Sequence, residues 1–123
     1  MIGNKKGNIG ERFASEFLKK QGYEIIKENY TDRYGEIDII AEKDGYIIFV
    51  EVKARKTGSV VRPSEAVTPD KQKKIIKASM SFLQGLDREL QPRYDVIAIE
   101  LADERVCSVK HIKSAFDAEE FFI

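Results

Sequence analysis

Asp38 and the triplet Glu51-Val52-Lys53 have the residue types and spacing that metal-assisted phosphoryl chemistry requires. Asp44-Gly45 lies between them, the strongest short signal for a two-residue hairpin turn. It joins two strand-like runs, Glu36 to Lys43 and Tyr46 to Ala54. In a type I′ turn Lys43 pairs with Tyr46, and counting outward sets Asp38 opposite Glu51 and Glu36 opposite Lys53. Side chains alternate along a strand, so these four share one face. Opposed residues have Cβ atoms about 5 Å apart, close enough for two carboxylates to hold one cation. Like charges directly opposed are destabilising, so the arrangement makes more sense with Mg²⁺ or Mn²⁺ between them. Phosphodiester hydrolysis needs a water of lowered pKa and charge relief on the phosphoryl oxygens, and a divalent cation supplies both. Lys53 could orient that water or stabilise developing charge. The competing account makes Glu51 and Lys53 ion-pair partners on an exposed strand. Against it, Ile47, Ile48, Phe49, Val50 and Val52 form a nearly continuous apolar run. Such a run marks a strand buried on both faces, where unpaired charge is expensive.

The elements that must position this hairpin follow from capping and periodicity. Asn8 and Glu11 form a capping-box pattern for a first helix carrying Ile9, Phe13, Phe17 and Leu18, stopped at Gly22. Tyr23 to Tyr30 reads as a strand, and Thr31 to Gly35 as a turn. After the hairpin comes a polar loop, Arg55 to Pro63. A second helix begins at Thr68-Pro69, threonine capping and proline at the first helical position, and stops near Gly85. Tyr94 to Ala102 and Arg105 to Ile112 read as strands, and Ser114 to Phe122 as a short helix docking Phe116, Phe121 and Phe122. The expected order is αβββαββα, a single mixed α/β domain.

Composition narrows the function classes. The 123 residues suit one domain, and no apolar run approaches the roughly 20 residues of a membrane span. The N-terminus lacks the apolar stretch of a signal peptide, and the single cysteine, Cys107, forbids an internal disulfide or a cysteine-based zinc site. A reducing cytoplasm fits these features. Net charge is zero, which alone argues against nucleic acid, but the distribution is uneven. From Lys53 to Lys77 there are eight Lys/Arg and two acids; from Glu28 to Glu51, seven acids and two bases. An acidic strip beside a basic one suits a metal-dependent enzyme on a polyanion, though solvated surface explains it equally.

Asp38 followed by Glu51-Val52-Lys53 resembles the PD-(D/E)xK motif of the restriction-endonuclease-like fold, with Glu36-Ile37 standing where the motif's proline would be. The whole chain resembles the bacterial UPF0102 (YraN-like) family from about Ile9 to Phe116. The resemblance rests on Gly10-Glu11, Gly35-Glu36-Ile37-Asp38-Ile39-Ile40, Phe49 to Arg55, Glu65-Ala66-Val67 before Lys71, and Arg93 to Ala98. It implies an αβββαβ core with a mixed sheet flanked by helices, and a metal-dependent endonuclease using Mg²⁺ or Mn²⁺. It is similar to archaeal Holliday-junction resolvases, whose first-helix glutamate joins the metal site; Glu11 matches that position, with the capping box as its competing explanation. Related nucleases place a Lys or Gln on the following helix, making Lys71 and Gln72 candidates. Asp38, Glu51 and Glu11 are thus the expected ligands, with Lys53 as catalytic lysine. Arg55, Lys56, Arg62, Lys71, Gln72 and Lys74 are the expected phosphate contacts. The resemblance also implies branched DNA as substrate and a homodimer, since resolvases cut two strands symmetrically.

The remaining polar residues read as structural. Asp95 begins a strand with no ExK triplet after it, His111 is the lone histidine and reads as a surface or loop residue, and Cys107 as small core filler. Tyr30 and Tyr34, near the acidic strip, could contact nucleic acid. No glycine-rich nucleotide loop is present. Two alternatives stand beside the nuclease reading: a nucleic-acid-binding module with little or no cleavage, and a protein-interaction domain whose acidic face serves a protein partner.

Overall fold

The computed structural model describes residues 5–58 and 67–119, with side chains from Ile9 onward. The elements run α1 (Lys5–Lys20), β1 (Glu24–Thr31), β2 (Glu36–Lys43), β3 (Tyr46–Lys56), α2 (Pro69–Gln84), β4 (Gln91–Ala102) and β5 (Arg105–Phe116). The five strands form one mixed sheet in the order β1-β2-β3-β4-β5. Only β3 and β4 are parallel; the other neighbours are antiparallel. A parallel pair needs a long crossover, and α2 supplies it.

The two helices cover opposite faces. Ile37, Ile40, Ile47, Phe49 and Val96 pack against Ile75, Ile76 and Ala78 of α2. Ile39, Ile48, Val50, Ile97 and Ile99 pack against Ala14 and Leu18 of α1. This explains the unbroken apolar run of β3, whose residues Ile47 to Val50 are at most 1% exposed. The expected αβββαβ order is present, with β5 added at the edge. Among the described residues no helix is long and apolar enough to cross a membrane.

Local signals account for most boundaries. Asp44 (φ 52°) and Gly45 (φ 84°) make the expected turn, and Lys43 pairs with Tyr46. Thr68 caps α2 by accepting the Lys71 N–H, with proline inside the first turn. Gly22 (φ 93°) ends α1: its N–H reaches Lys19 O and the Tyr23 N–H reaches Leu18 O, the paired bonds of a Schellman motif.

Three expectations are corrected here. α1 starts at Lys5, so Asn8 lies inside the helix and cannot cap it; the capping box does not form. Ser114 to Phe116 belong to β5, not to a terminal helix, because the strand continues past a bulge at Ser114 (φ 52°) until Phe116 stacks on Tyr94. Phe121 and Phe122 lie outside the described residues. Cys107 is exposed, its thiol 3.1 Å from Thr57 Oγ1, since it sits on the solvent side of an edge strand.

Candidate active site

β2 and β3 keep the expected register from Lys43↔Tyr46 to Ile39↔Val50, and there the ladder stops. One step further, where Asp38 was expected to pair with Glu51, the Asp38 carboxylate takes over: its Oδ2 accepts the Val52 N–H at 2.8 Å. β2 changes faces at this step, for Ile39 lies in the core under α1 and Ile37 in the core under α2. On β1, Asn29 sits between Glu28, paired with Ile39, and Tyr30, paired with Ile37. Its φ of 53° bends β1 in step with β2. Glu36 consequently pairs with Thr31 of β1 instead of Lys53, a correction that simple alternation could not foresee.

β3 runs on regularly, so Glu51 and Lys53 point to the side opposite Val50 and Val52, toward α2. Glu51 is 4% exposed, and its Oε2 meets Lys71 Nζ at 3.1 Å and Lys53 Nζ at 3.6 Å. The Thr68 cap aims the first turn of α2 at this point. Burial works against the charge on Lys71, but Glu51 and then Asp38 and Glu36 outweigh it, and its pKa rises. Gln72, the other helical candidate, turns away and donates to Val67 O at 2.9 Å.

Glu11 arrives from α1. A Cβ on Gly10 would lie 3.1 Å from Ala54 Cβ, so the glycine lets the helix sit close on β3 beside Glu11. Burial and then the charges of Glu51, Glu36 and Glu28 push the Glu11 carboxyl above its ordinary pKa. Asp38 is pushed up to about 7, by burial first and the Glu51 carboxylate second, against the pull of the Val52 N–H; Glu11 adds to the rise. The raised pKa of Asp38 marks a position where added positive charge would be favourable. Among the described residues no group of three His, Cys, Asp or Glu side chains converges on one ion position. A divalent cation placed here would have Asp38 and Glu51 as its nearest carboxylate donors, with Glu11 close enough to raise the pKa of Asp38. Magnesium suits such a set, because it uses one or two carboxylates and completes its shell with water and substrate phosphate.

Of the expected phosphate contacts, Arg55 and Lys56 end β3 and Lys74 is exposed on α2. Arg62 lies outside the described residues, as do Glu65 and Ala66. Arg55 Nε is buried and has no hydrogen-bond partner among the described residues.

The model of the family described as "Uncharacterised protein family UPF0102" matches residues 10–99, a span holding all of these groups. The chain belongs to UPF0102. A UPF0102 protein of Syntrophus aciditrophicus is 44% identical over 115 residues, covering 92% of this chain and 89% of its own. One from Chlorobium phaeobacteroides is 47% identical over 120 residues, covering 92% and 94%. A third, from Caldanaerobacter subterraneus, is 41% identical over 118 residues, covering 92% and 97%.

This UPF0102 member also holds a buried polar network that sequence reasoning undervalued. Asp95 is fully buried and receives Arg93 Nε at 3.0 Å, Arg93 Nη2 at 2.9 Å and the Ser114 N–H at 3.0 Å. His111 Nε2 lies 2.7 Å from the same carboxylate, and Arg93 Nη2 also donates to Tyr23 OH. His111 is thus no ordinary surface residue, a second correction: it is packed against Phe17 and Tyr23. The i, i+2 spacing of Arg93 and Asp95 was visible, but only the bulge at Ser114 and the β4–β5 register bring in the rest. The network lies on the α1 side of β4, and Asp95 keeps its structural reading.

Proposed function

We propose that this UPF0102 protein is a Mg²⁺- or Mn²⁺-dependent endonuclease that hydrolyses phosphodiester bonds in nucleic acid. One observation carries the reading: the buried Glu51 and half-buried Asp38 lie together at the end of a split β-ladder, with the Lys53 and Lys71 ammonium groups on Glu51. Asp38 and Glu51 would hold the cation. Lewis acidity, meaning charge relief for phosphoryl oxygens and a lower pKa for water, is the chemistry a divalent cation supplies there. Glu11, close enough to Asp38 to raise its pKa, would serve as an auxiliary ligand or position the attacking water. Lys53 and Lys71 offset negative charge gathering at the phosphate. Lys74, Arg55 and Lys56 supply backbone contacts. Branched DNA and a homodimer follow from the likeness to resolvases and remain parts of the proposal.

The test incubates purified protein with labelled four-way junction, flap, single-stranded and duplex DNA and with RNA, in Mn²⁺ or EDTA, beside Asp38→Ala. Metal-dependent cutting that the variant lacks is the expected result. One observation favours a second reading, a binding module of the same fold: among the described residues no three carboxylates converge on one ion position, and Lys53 and Lys71 are both paired with Glu51. Salt-sensitive binding without cutting would select it.

A further inference from the structure

The nucleic-acid reading leaves unused a groove of about 420 Å³ beside α2, lined by Arg33, Tyr34, Lys77, Met80, Ser81 and Gln84. Tyr34 and Met80 are two of the few large apolar side chains left exposed among the described residues, at 37% and 45%, and both face this groove. The Arg33 guanidinium lies 4.9 Å over the Tyr34 ring and donates to its hydroxyl at 2.8 Å. The turn holding them is built rigidly. Asp32 Oδ1 accepts the Tyr34 and Gly35 N–H groups, Oδ2 accepts the Tyr30 hydroxyl, and the Asp32 N–H donates to Gly35 O. A Cβ on Gly35 would come within 3.3 Å of Lys74 Cβ, so the turn is seated directly on α2.

A stripe of α2 residues runs from the carboxylate pair to the groove. Lys71, Lys74, Lys77, Ser81 and Gln84 follow one another at three- and four-residue steps, which places them in one stripe along α2. At 1.5 Å per residue, Lys77 lies about 9 Å along the axis from Lys71, whose ammonium touches Glu51. Among the described residues no carboxylate lines the groove, and its cations, aromatic ring, thioether and amide match a polyanion whose planar groups stack.

We propose that the Tyr34–Met80 groove binds one unpaired nucleobase of a nucleic-acid strand whose backbone follows the Lys71–Lys74–Lys77 stripe from the Asp38–Glu51 site. The proposal rests on the nucleic-acid reading above. Tyr34 and Arg33 provide the stacking surface, Met80 the apolar floor, and Ser81 and Gln84 the groups that meet the base edge. Tyr30 is held by Asp32 and packs edge-on against Phe82, so it supports the turn and does not stack on the base.

The test uses short single-stranded DNA and RNA oligonucleotides carrying 2-aminopurine at successive positions, in EDTA so that nothing is cut. Quenching at one position or two adjacent ones is expected. Tyr34→Ala should abolish the quench and weaken binding about ten-fold, while Tyr34→Phe keeps both. Met80→Glu, also at an exposed position, should reproduce the loss, and Lys71→Ala should weaken binding while leaving the quench in place. Binding by the wild-type protein with no quenched position, or with a quench that survives Tyr34→Ala and Met80→Glu, overturns the groove and leaves the nucleic-acid reading standing. No binding of either oligonucleotide overturns the groove, and no binding of four-way junction, flap or duplex DNA alongside overturns the nucleic-acid reading as well.

Discussion

The Asp38 carboxylate holds the backbone of Val52, accepting its N–H at 2.8 Å where the β2–β3 ladder ends. This bond ties the first acidic residue of the site to the middle of the Glu51-Val52-Lys53 triplet. It also fills the backbone donor that the departing β2 strand leaves open.

The raised pKa of Asp38 has a stability consequence. A carboxyl lifted from 3.8 to about 7 in the folded chain binds its proton more tightly there than when unfolded. It therefore costs no stability below about pH 4, and its cost grows as pH rises to about 7. Asp38→Asn keeps the acceptor for Val52 and removes that cost. Urea unfolding should find the variant more stable than wild type at pH 8, by up to about 4 kcal/mol, with the gap closing toward pH 4. Asp38 keeps part of its contact with solvent, so that figure is an upper bound. Added Mn²⁺ should raise the wild-type Tm at pH 8 and leave the variant's unchanged.

Glu51 is nearly buried and is neutralised by two lysines. Lys71→Met or Lys53→Met alone leaves one partner, and each should cost about 1 kcal/mol, since both ammonium groups are partly hydrated. The double variant strands the carboxylate and should cost roughly 3–5 kcal/mol, more than the two singles added. Strict additivity in a double-mutant cycle would show that Glu51 does not depend on them jointly.

Gly10 sets the height of α1 over β3. Gly10→Ala adds about 1 kcal/mol of helix propensity but drives a Cβ to 3.1 Å from Ala54 Cβ. Gly10→Val cannot be accommodated by a small shift and should cost more than about 2 kcal/mol by overpacking. Ala54→Gly in the Gly10→Ala background opens the contact and should restore any loss of metal binding. Thermal melts and metal titrations on the three variants read the two effects separately.

Asp95→Asn removes the charge from a fully buried group that receives Arg93, Ser114 and, when protonated there, His111 Nε2. A loss of roughly 3–5 kcal/mol is expected at pH 7, since Arg93 loses its partner. Burial pushes this carboxyl up, but the bonds from His111 and Arg93 more than reverse it, and its pKa falls below 3.8. Its contribution is therefore complete above about pH 4 and is lost as pH falls through the depressed folded pKa. Acid titration of wild type and variant should converge at low pH; a constant gap would refute the assignment.

Much was decided by short-range chemistry that a sequence displays. Asp44-Gly45 specifies a type I′ turn because few other dipeptides tolerate two positive φ angles, and that turn sets the register through Ile39↔Val50. Thr68-Pro69 places the start of α2, and the unbroken apolar run of β3 marks the strand covered on both sides. From these came Asp38, Glu51, Lys53 and the αβββαβ order.

What needed the tertiary structure depends on groups distant in the chain. The face exchange at Asp38 requires Asn29 of the neighbouring strand to bend with it, so alternation counted along β2 alone misplaced Glu36. Only the seating of α2 separates Lys71, turned to Glu51, from Gln72, turned to Val67. Asp103-Glu104 form the β4–β5 turn at positive φ without a glycine, and the register they begin carries His111 onto Asp95. The acidic pair itself was legible early. Its surroundings, Lys71 from α2 and Glu11 from α1, arise because burying β3 on both faces forces α1 and α2 to close over the split between β2 and β3.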